Sequence, residues 1–513
     1  EAHNCLRYKK HFNYRYLVAA KDLKAGEVIL SDEPFVLGPN TDSSLVCFNC
    51  YLPLISKFVI CKLCAVAPVC PGEGCPEYHT KKYHTKQECD YFRTLKLTKG
   101  LQPMTLVQNV SSLLVLRAFL KKTVEPRAWE DFMKLETHLE ERRGTSVWKY
   151  CENTVKFIQS LCVTEEVPDE NLIQKICAAI DVNSFEVRGP AVPAIGCAEV
   201  LRGVYLKAAM LAHDCVGNTH MSINDDNVLV CHASIAIKKG ETIFYNYTDP
   251  LKGTVLRQQH LMIGKYFKCN CNRCSDATEM GTHMSSAICP DCKIGYVSQT
   301  SADEWTCNSC KKQASHSKIG ILVQCCTDKF GVINKKDEKE LEEYIRNVSL
   351  VLAPNHYLLV EAKQRLAGVL RDTINREPRP TKKLLRRKLA LCQELVPVLE
   401  KLCIGISRTK AITLYELHAA MVQLAKKLFD GREINGATYM DELLKAEKYL
   451  KKSLEMLFIE PGNSPEGELC AKALEEYRAL KATMGTVLDG IHAEGKTYVS
   501  ATETKSQLAP TVN

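Results

Sequence analysis

The spacing of apolar residues predicts short strands around two similar turns that lie far apart in the chain. Residues 17–20 and 28–30 have the composition of short strands on either side of a Lys-Ala-Gly-Glu turn at 24–27. The same design returns at 234–237 and 242–245, around a Lys-Lys-Gly-Glu turn. Glycine suits each turn because it adopts backbone conformations that a residue with a Cβ resists.

Helical periodicity dominates the rest of the chain. A mainly helical stretch ends near residue 180, and after a Pro168-Asp169 start one helical face carries Leu172, Ile173, Ile176 and Ile180. From about residue 318 three further stripes recur at helical spacing: Leu341, Ile345, Val348 and Leu352; Leu414, Leu417, Met421, Leu424 and Leu428; and Leu443, Ala446, Leu450, Leu454 and Leu457. These stripes predict hairpins of amphipathic helices whose apolar faces form a core.

Composition limits the class of protein. A chain of 513 residues, with 45% apolar and 25% charged residues, has room for several globular domains. No stretch approaches the roughly 18–20 apolar residues that span a bilayer. The first thirty residues also lack the apolar core of a secretory signal. We therefore expect no membrane partner and a residence in the cytoplasm, the nucleus or both.

The 26 cysteines require either disulfides or metal sites. Many occur as C-x-x-C or C-x-C pairs, an arrangement typical of tetrahedral zinc, and no export signal accompanies them. The first block supplies eight ligands, enough for two closed sites: Cys47, Cys50, Cys61, Cys64, Cys70, Cys75, His84 and Cys89. A segment this short cannot build a hydrophobic core, so metal binding must supply its folding energy.

Two further cysteine groups follow. Cys269, Cys271 and Cys274 leave a tetrahedral zinc one ligand short. The third group is complete by itself: Cys289, Cys292, Cys307 and Cys310. The sequence thus predicts about four zinc ions, and closed four-ligand sites predict structural rather than catalytic metal.

Zinc binding also changes the interpretation of the charge. The formal net charge is +8, but fifteen thiolates and four divalent ions would bring it to about +1. A basic run remains at 376–388, and we expect it to be the solvated start of a helix after Pro378 and Pro380. A nucleic-acid partner is therefore not expected.

The order of several motifs resembles that of a known family. Residues 211–218, Leu-Ala-His-Asp-Cys-Val-Gly-Asn, resemble the SET signature N-H-x-C-x-P-N, and 240–247 resemble the SET strand that ends in a catalytic tyrosine. Residues 267–274 resemble a post-SET zinc loop, and 183–185, Asn-Ser-Phe, match a cofactor-pocket motif. With the inserted cysteine block, which is similar to a MYND finger, the chain resembles the SET-and-MYND family, arthropod members in particular.

That resemblance implies an α+β fold in which a MYND zinc finger splits a SET domain of small β-sheets. A post-SET zinc region and a C-terminal helical, TPR-like domain would follow. The implied parts are residues 1–46, the N-terminal part of the SET domain; 47–89, the finger; 90–180, a helical insertion; 181–250, the core SET region; 251–317, the post-SET and ribbon-like region; and 318–513, the helical domain.

The resemblance also assigns metal ligands. One ion of the finger would be held by Cys47, Cys50, Cys70 and Cys75, and the other by Cys61, Cys64, His84 and Cys89. Two spacings of this pattern each contain one extra residue, so His79 is an alternative ligand. Cys215 would complete the post-SET zinc and tie the signature loop to the lid over the substrate channel.

The implied chemistry is methyl transfer from S-adenosylmethionine to a protein lysine, with a role in transcriptional regulation. Tyr247 would be the catalytic tyrosine of the lysine channel. The residues implied to bind the cofactor are Arg15, Tyr16, Asn183, Ala212, His213 and Phe267. Family resemblance adds proline-containing peptides as partners of the MYND finger.

Several positions depart from the family pattern. Ala212 replaces the signature asparagine, Gly217 replaces a proline, and Lys265 replaces a tyrosine four positions before Cys269. Two tyrosines, at 14 and 16, replace small residues of a glycine-rich loop. Each lost hydrogen bond to the cofactor costs on the order of 1–3 kcal/mol. These departures leave a second hypothesis open, a SET-and-MYND scaffold that binds partners without catalysis.

Overall fold

The computed structural model describes residues 6–11, 14–55, 57–71, 82–162, 167–191, 196, 198–301, 304–493 and 498. They form several small sheets in the N-terminal part of the chain and a long succession of helices in the C-terminal part. The predicted α+β class is confirmed. Within the described part of the chain, no helix is both long enough and apolar enough to cross a membrane.

Twelve short strands build the small sheets of the N-terminal half. The strands are β1 Leu6–His11, β2 Tyr14–Ala19, β3 Val28–Asp32, β4 Val36–Pro39, β5 Val59–Ile60, β6 Pro68–Val69, β7 Ser184–Ala191, β8 Ala198–Val204, β9 Ala212–His213, β10 Thr219–Ile223, β11 Leu229–Ala233 and β12 Phe244–Tyr245. The sheet orders are β1-β2, β4-β8-β7, β10-β11-β3, β5-β6 and β12-β9. Among these sheets only the pairing of β9 with β12 is parallel, and it joins the two segments that resemble SET motifs.

The two Lys-x-Gly-Glu turns have the same geometry. Gly26 and Gly240 adopt φ angles of +83° and +88°, which residues with a Cβ rarely reach. In each turn the glutamate side chain accepts a hydrogen bond from the backbone N–H of the lysine, at 3.0 Å for Glu27 and 2.8 Å for Glu241. This self-contained bonding explains why the sequence alone was sufficient to locate both turns.

The prediction of a strand at residues 234–237 is wrong. Residues 234–237 form no strand, although Ile237 makes a single bridge to Leu23. The backbone of Ser234 is used elsewhere, because its N–H donates to Asn218 O and its carbonyl accepts from Ile406 N, both at 2.9 Å. The C-terminal region therefore takes the place that a neighbouring strand would occupy.

Among the described residues between β6 and β7 there are seven helices. They are α1 Lys86–Lys99, α2 Pro103–Gln108, α3 Leu113–Val124, α4 Pro126–Phe132, α5 Leu139–Arg142, α6 Ser146–Leu161 and α7 Glu170–Asn183, with a 3-10 turn at Val110–Ser112. Asp169 caps α7 by accepting from Leu172 N at 2.7 Å, as the sequence indicated. The predicted face of α7 is buried at Ile173, Ile176 and Ile180, so this helix anchors the cluster.

The rest of the chain is a small sheet among helices. A 3-10 turn at Ala208–Met210 precedes β9; the later elements are α8 Thr254–Lys265, α9 Asn272–Ser275, β13 Ala287–Ile288, β14 Tyr296–Gln299, β15 Glu304–Cys307, β16 Gln313–Ser315, α10 His316–Val332, α11 Glu338–Val348, α12 Tyr357–Arg376, α13 Lys382–Leu402, α14 Arg408–Asp430, α15 Gly436–Leu457 and α16 Pro465–Ala493. Successive helices from α11 to α16 pack against each other. The predicted stripes lie in their shared cores, as expected for helical hairpins.

The basic run at 376–388 is not a fully solvated helix start. Helix α13 begins at Lys382 with Thr381 as its N-cap, but Lys388 is buried and paired with Glu416. Arg387 contacts Glu342 at 2.6 Å. The prediction is wrong for these two residues because neighbouring helices supply acidic partners that helical periodicity does not reveal.

Close contacts at Glu460 and Gly405 help to fix the C-terminal helices to the SET-like sheets. Glu460, almost fully buried, accepts hydrogen bonds from Arg408 at 2.7 Å and lies 2.9 Å from His220 on β10. Gly405, at φ +63°, approaches Ser234 so closely that a Cβ would lie 1.8 Å from its carbonyl oxygen. Only glycine permits this close approach.

A buried charge cluster joins α8, α9 and the following loop. Glu279 lies 2.8 Å from Arg257 and 2.9 Å from Arg273, and all three side chains are at most 2% exposed. The carboxylate also accepts from Ser285 Oγ at 2.5 Å. Burial alone would raise the pKa of Glu279, but the two guanidinium groups hold it below its usual range. The cluster thus ties the loop after α9 to both helices.

We predict that Glu279→Gln lowers the free energy of unfolding by about 3–5 kcal/mol, because it leaves two buried guanidinium groups without a counter-charge. Urea denaturation of the zinc-loaded protein measures the loss. The matched control is Glu140→Gln, whose exposed partner is Arg143; it should change the free energy by less than about 1 kcal/mol. Equal losses in both variants would contradict the assigned role of the cluster.

Candidate active site and metal centres

Four groups of metal-ligating side chains lie among the described residues, each with ligand atoms within 4.8 Å of one another. They are Cys61, Cys64, His84 and Cys89; Cys47, Cys50 and Cys70; Cys215, Cys269, Cys271 and Cys274; and Cys289, Cys292, Cys307 and Cys310. The pattern predicted all of these residues as ligands. Cys75, the fourth ligand predicted for the second group, and the alternative His79 lie outside the described residues.

The distances fit tetrahedral zinc. A zinc–sulfur bond of about 2.3 Å places two thiolates of one tetrahedron roughly 3.8 Å apart. The sulfur atoms of Cys61 and Cys89 are separated by 3.9 Å, and those of Cys50 and Cys70 by 3.6 Å. In the ribbon formed by β13–β16, Cys289 lies 3.8 Å from Cys310. Thiolate and imidazole donors without carboxylates favour zinc over magnesium or calcium.

His84 is oriented by a buried charge network. Its Nδ1 lies 2.7 Å from Glu88, which leaves Nε2 facing the thiolates, 3.6 Å from Cys64. Glu88 in turn accepts from Arg117 at 2.6 Å. Burial alone would raise the pKa of Glu88, and the charges of Arg117 and His84 lower it below its usual range. A carboxylate behind a ligating histidine fixes the ring and its tautomer.

Arg117 links the two halves of the finger. It donates to the carbonyl of Phe48 at 2.8 Å and to the hydroxyl of Tyr51, beside the first cysteine pair. The same guanidinium contacts Glu88 behind His84. Neither Glu88 nor Arg117 was identified from the sequence. A glutamate four residues after the ligand His84 was the only local indication.

The post-SET cluster, Cys215 with Cys269, Cys271 and Cys274, joins two distant segments. Cys215 follows β9, and its sulfur lies 3.5 Å from that of Cys274 and 3.9 Å from that of Cys269. Arg257 on α8 donates to Cys274 at 3.4 Å and so offsets part of the thiolate charge. The structure thus brings together the four residues that the family resemblance assigned to one ion.

His213 connects the post-SET cluster to Tyr247. Its Nδ1 accepts a hydrogen bond from the backbone N–H of Tyr247 at 3.0 Å, so the ring proton resides on Nε2. Nε2 lies 3.3 Å from the sulfur of Cys215 and donates to it. Burial lowers the pKa of His213 to about 4. The neutral ring therefore serves as a link within the protein, with both nitrogens engaged.

A cleft of about 1270 Å³ opens beside Tyr247. Five of the six predicted cofactor residues line it together with Tyr247: Tyr16, Asn183, Ala212, His213 and Phe267. The side chains of Tyr14 and Arg15 lie outside the described residues. Small-molecule sites commonly measure about 300–1,000 Å³, so Tyr16 leaves room for a cofactor-sized ligand.

The hydroxyl of Tyr247 donates to the carbonyl of Leu211, and its ring lies 5.0 Å from that of His213 and 6.2 Å from that of Tyr245. Burial raises the pKa of Tyr247 above its usual range, so the phenol stays protonated. Tyr245 and Phe267 also line the cleft. The rings of Tyr245, Tyr247 and Phe267 thus give this part of the cleft aromatic walls.

Several residues of the cleft were not identified from the sequence. Leu135, Glu136 and His138 come from the helical insertion, and Met210 comes from the 3-10 turn before β9. Asn183 donates to the carbonyls of Glu136 and Ala179, both at 2.8 Å. No local motif marks the insertion residues, because their place beside the cleft depends on contacts between distant segments, such as that of Asn183 with the Glu136 carbonyl.

Comparison with known proteins identifies the class first. The family model of the SET domain matches residues 14–248. This range contains β2 to β12 and the inserted finger. It also contains the cleft residues from Tyr16 to Thr248, whereas Lys265, Phe267 and Asn270 follow it. Residues 14–248 therefore form a SET domain, and the fold expected from the motifs is confirmed.

Relatives extend the similarity beyond the SET domain. The chain is 26% identical over 360 residues to SET domain-containing protein SmydA-8 of Drosophila melanogaster, covering 68% of this chain and 74% of the relative. It is 23% identical over 318 residues to a SET and MYND domain-containing protein of Dictyostelium discoideum, covering 52% of this chain and 59% of the relative. The chain is therefore similar to proteins of the SET-and-MYND type over more than half of its length.

Two further similarities complete the comparison. The histone-lysine N-methyltransferase ASHR1 of Arabidopsis thaliana is 23% identical over 410 residues, covering 75% of this chain and 80% of the relative. A crystal structure of the SET domain of LSMT bound to lysine and AdoHcy aligns with 99% of this chain and 92% of its own at 13% identity. Its TM-score of 0.26 supports no conclusion about this chain.

We predict that the zinc-loaded protein contains one ion for each of the four groups. Cys289→Ser should lower the zinc content by one ion per chain, because three ligands do not complete the ribbon site. Inductively coupled plasma mass spectrometry of dialysed protein measures the content. Cys325→Ser removes an exposed thiol outside every group and should change nothing. Equal zinc content in both variants would exclude the ribbon as a metal site.

Proposed function

We propose that the protein is a protein-lysine N-methyltransferase that uses S-adenosylmethionine, with its acceptor site at Tyr247. The observation that carries the proposal is that Tyr247 shares one cleft with five of the residues expected to bind the cofactor. The SET family model matches residues 14–248, which include the motifs at 211–218 and 240–247. This match supports the same activity.

The residues of the cleft suit this chemistry. S-adenosylmethionine supplies an activated methyl group, so the protein mainly has to align the acceptor. The substrate lysine must be neutral to attack, and aromatic walls at Tyr245, Tyr247 and Phe267 favour the neutral amine by excluding water. The Tyr247 hydroxyl, held by the Leu211 carbonyl, places an oxygen near the acceptor nitrogen.

The cofactor would be held largely by backbone groups and ring faces. Ala212 offers no side-chain hydrogen bond, and its backbone pairs with Phe244. The amide nitrogen of Asn183 is already used by two protein carbonyls, which leaves its oxygen to accept a hydrogen bond. Phe267, 5.9 Å from His213, offers an aromatic face beside the post-SET cluster. Arg15 and Tyr16 remain part of the proposed site.

A histone or another protein is the proposed substrate, with a role in transcriptional regulation. The name of the Arabidopsis relative ASHR1 supports the histone class. The MYND finger is proposed to bind proline-containing peptides, and its surface exposes apolar side chains suited to such contacts: Ile55, Phe58, Val59 and Leu63. Residence in the cytoplasm, the nucleus or both is part of the proposal.

A second function, a scaffold that binds partners without catalysis, is favoured by two observations. Ala212 removes the side chain expected to hold the cofactor. Lys265 replaces an expected tyrosine and brings a charged group over the ring of Tyr247. In this alternative the finger and the helical domain would carry the whole function.

We predict micromolar binding of S-adenosylmethionine by calorimetric titration of the zinc-loaded protein, with turnover on a peptide library. Tyr247→Phe should reduce turnover at least about a hundredfold, because the lost hydroxyl orients the amine in the transition state. It should leave cofactor affinity almost unchanged.

The matched control is Tyr150→Phe, which alters an exposed tyrosine on α6. It should retain full turnover. An absence of binding at millimolar cofactor would refute the enzyme proposal and favour the scaffold. Full turnover by Tyr247→Phe would exclude Tyr247 as the catalytic residue.

A further inference from the structure

Two lysines lie among the described residues that line the cleft, Lys134 and Lys265. They differ in their surroundings. The side chain of Lys134 is 48% exposed and contacts Asp131 at 2.9 Å, as a surface ion pair does. Lys265 instead extends into the cleft, with its amine 5.4 Å from the ring centroid of Tyr247. Only the second amine lies beside the proposed catalytic residue.

A hydrogen bond of Lys265 and the turn that follows it hold the side chain in this position. Its amine donates to the carbonyl of Val182, the residue before Asn183 at the end of α7. Lys265 is the last residue of α8, and the next residue, Tyr266, turns the chain with a φ of +58°. The ring of Tyr266 then stacks on His138 at 5.0 Å. The end of α8 is thereby held against the wall of the cleft.

The amine lies where the proposed reaction needs an acceptor. Val182 borders Asn183, a proposed cofactor residue, and the Tyr247 ring carries the proposed catalytic hydroxyl. The Lys265 nitrogen is hydrogen-bonded to a carbonyl on one side and faces an aromatic ring on the other. We expect such surroundings for a substrate amine in an apolar channel. An intramolecular amine also has a high effective concentration.

The protonation of Lys265 is compatible with attack. Burial lowers its pKa to about 8, and the negative charge of Asp181 acts weakly in the opposite direction. Asp181 is itself engaged by Arg142 at 2.7 Å and by Arg202 at 2.9 Å. The other titratable groups of the cleft near this end of α8 are Glu136, His138, Tyr245 and Tyr247. About a tenth of the amine is therefore neutral at pH 7.

We propose that Lys265 is a self-methylation site, at which the chain acts as its own lysine substrate in cis. The inference rests on the proposed function, since it needs S-adenosylmethionine as the methyl donor. The lone pair of the neutral amine forms the new carbon–nitrogen bond while the sulfonium–methyl bond breaks. S-adenosylhomocysteine leaves, and the resulting ammonium releases one proton to solvent.

Mass spectrometry of peptides from the full-length zinc-loaded protein tests the site. After incubation with methyl-labelled S-adenosylmethionine, we expect label on Lys265 and none on Lys134. The first-order rate should not depend on protein concentration, because donor and acceptor belong to one molecule. Lys265→Arg keeps the charge and should abolish incorporation at this peptide, whereas Lys134→Arg should retain it.

A measurement without turnover separates this inference from the proposed function. With 13C-labelled lysine, the Lys265 side-chain NMR signal is assigned by its loss in Lys265→Arg. Adding S-adenosylhomocysteine should shift the Lys265 signal and leave that of Lys134 in place. Zinc content and near-ultraviolet circular dichroism establish that Lys265→Arg and Lys134→Arg are folded.

The contradictory outcomes are distinct. If S-adenosylhomocysteine binds and library peptides are methylated while Lys265 stays unmodified, self-methylation is refuted and the proposed function stands. Label on Lys265 at a rate proportional to protein concentration refutes transfer in cis. A failure to bind either form of the cofactor refutes the proposed function, and the self-methylation that rests on it.

Discussion

The convergence of four thiolates at Cys215, Cys269, Cys271 and Cys274 is the constraint on which the cleft depends. Four thiolates within 4.8 Å of one another would repel strongly without a metal. A zinc ion removes half of that charge, and Arg257, which donates to Cys274, offsets more of it. Because the ligands come from the β9 loop and from the segment after α8, binding one ion fixes both walls of the cleft.

The post-SET cluster is connected to Tyr247 through the imidazole ring of His213. His213 donates to Cys215 and accepts from the backbone of Tyr247, so its tautomer is set by the two contacts. β9 and β12 pair in parallel at the same point. The same end of α8 that leads to the post-SET ligands carries Lys265 into the cleft. Metal binding, strand pairing and the placement of Tyr247 therefore form one connected unit.

The sequence predicted the parts of this unit that are local. Short cysteine pairs indicated most of the candidate zinc ligands, and the family resemblance added Cys215 and the position of Tyr247. It did not predict Arg117 behind His84, the Glu279 cluster or the insertion residues of the cleft, since these depend on contacts between distant helices. Residues 234–237 were assigned wrongly for the same reason, because Ile406 bonds to Ser234 from a remote segment.

Hydrogen exchange of the full-length protein, comparing Cys271→Ser with Cys325→Ser, tests whether the post-SET metal site holds the cleft in place. We predict that Cys271→Ser loses amide protection at residues 211–218, 244–248 and 265–269 together. Protection of α14 and α15 should stay unchanged, because their core does not touch the post-SET cluster. Unaltered protection around Tyr247 in Cys271→Ser would contradict the dependence of the cleft on that metal site.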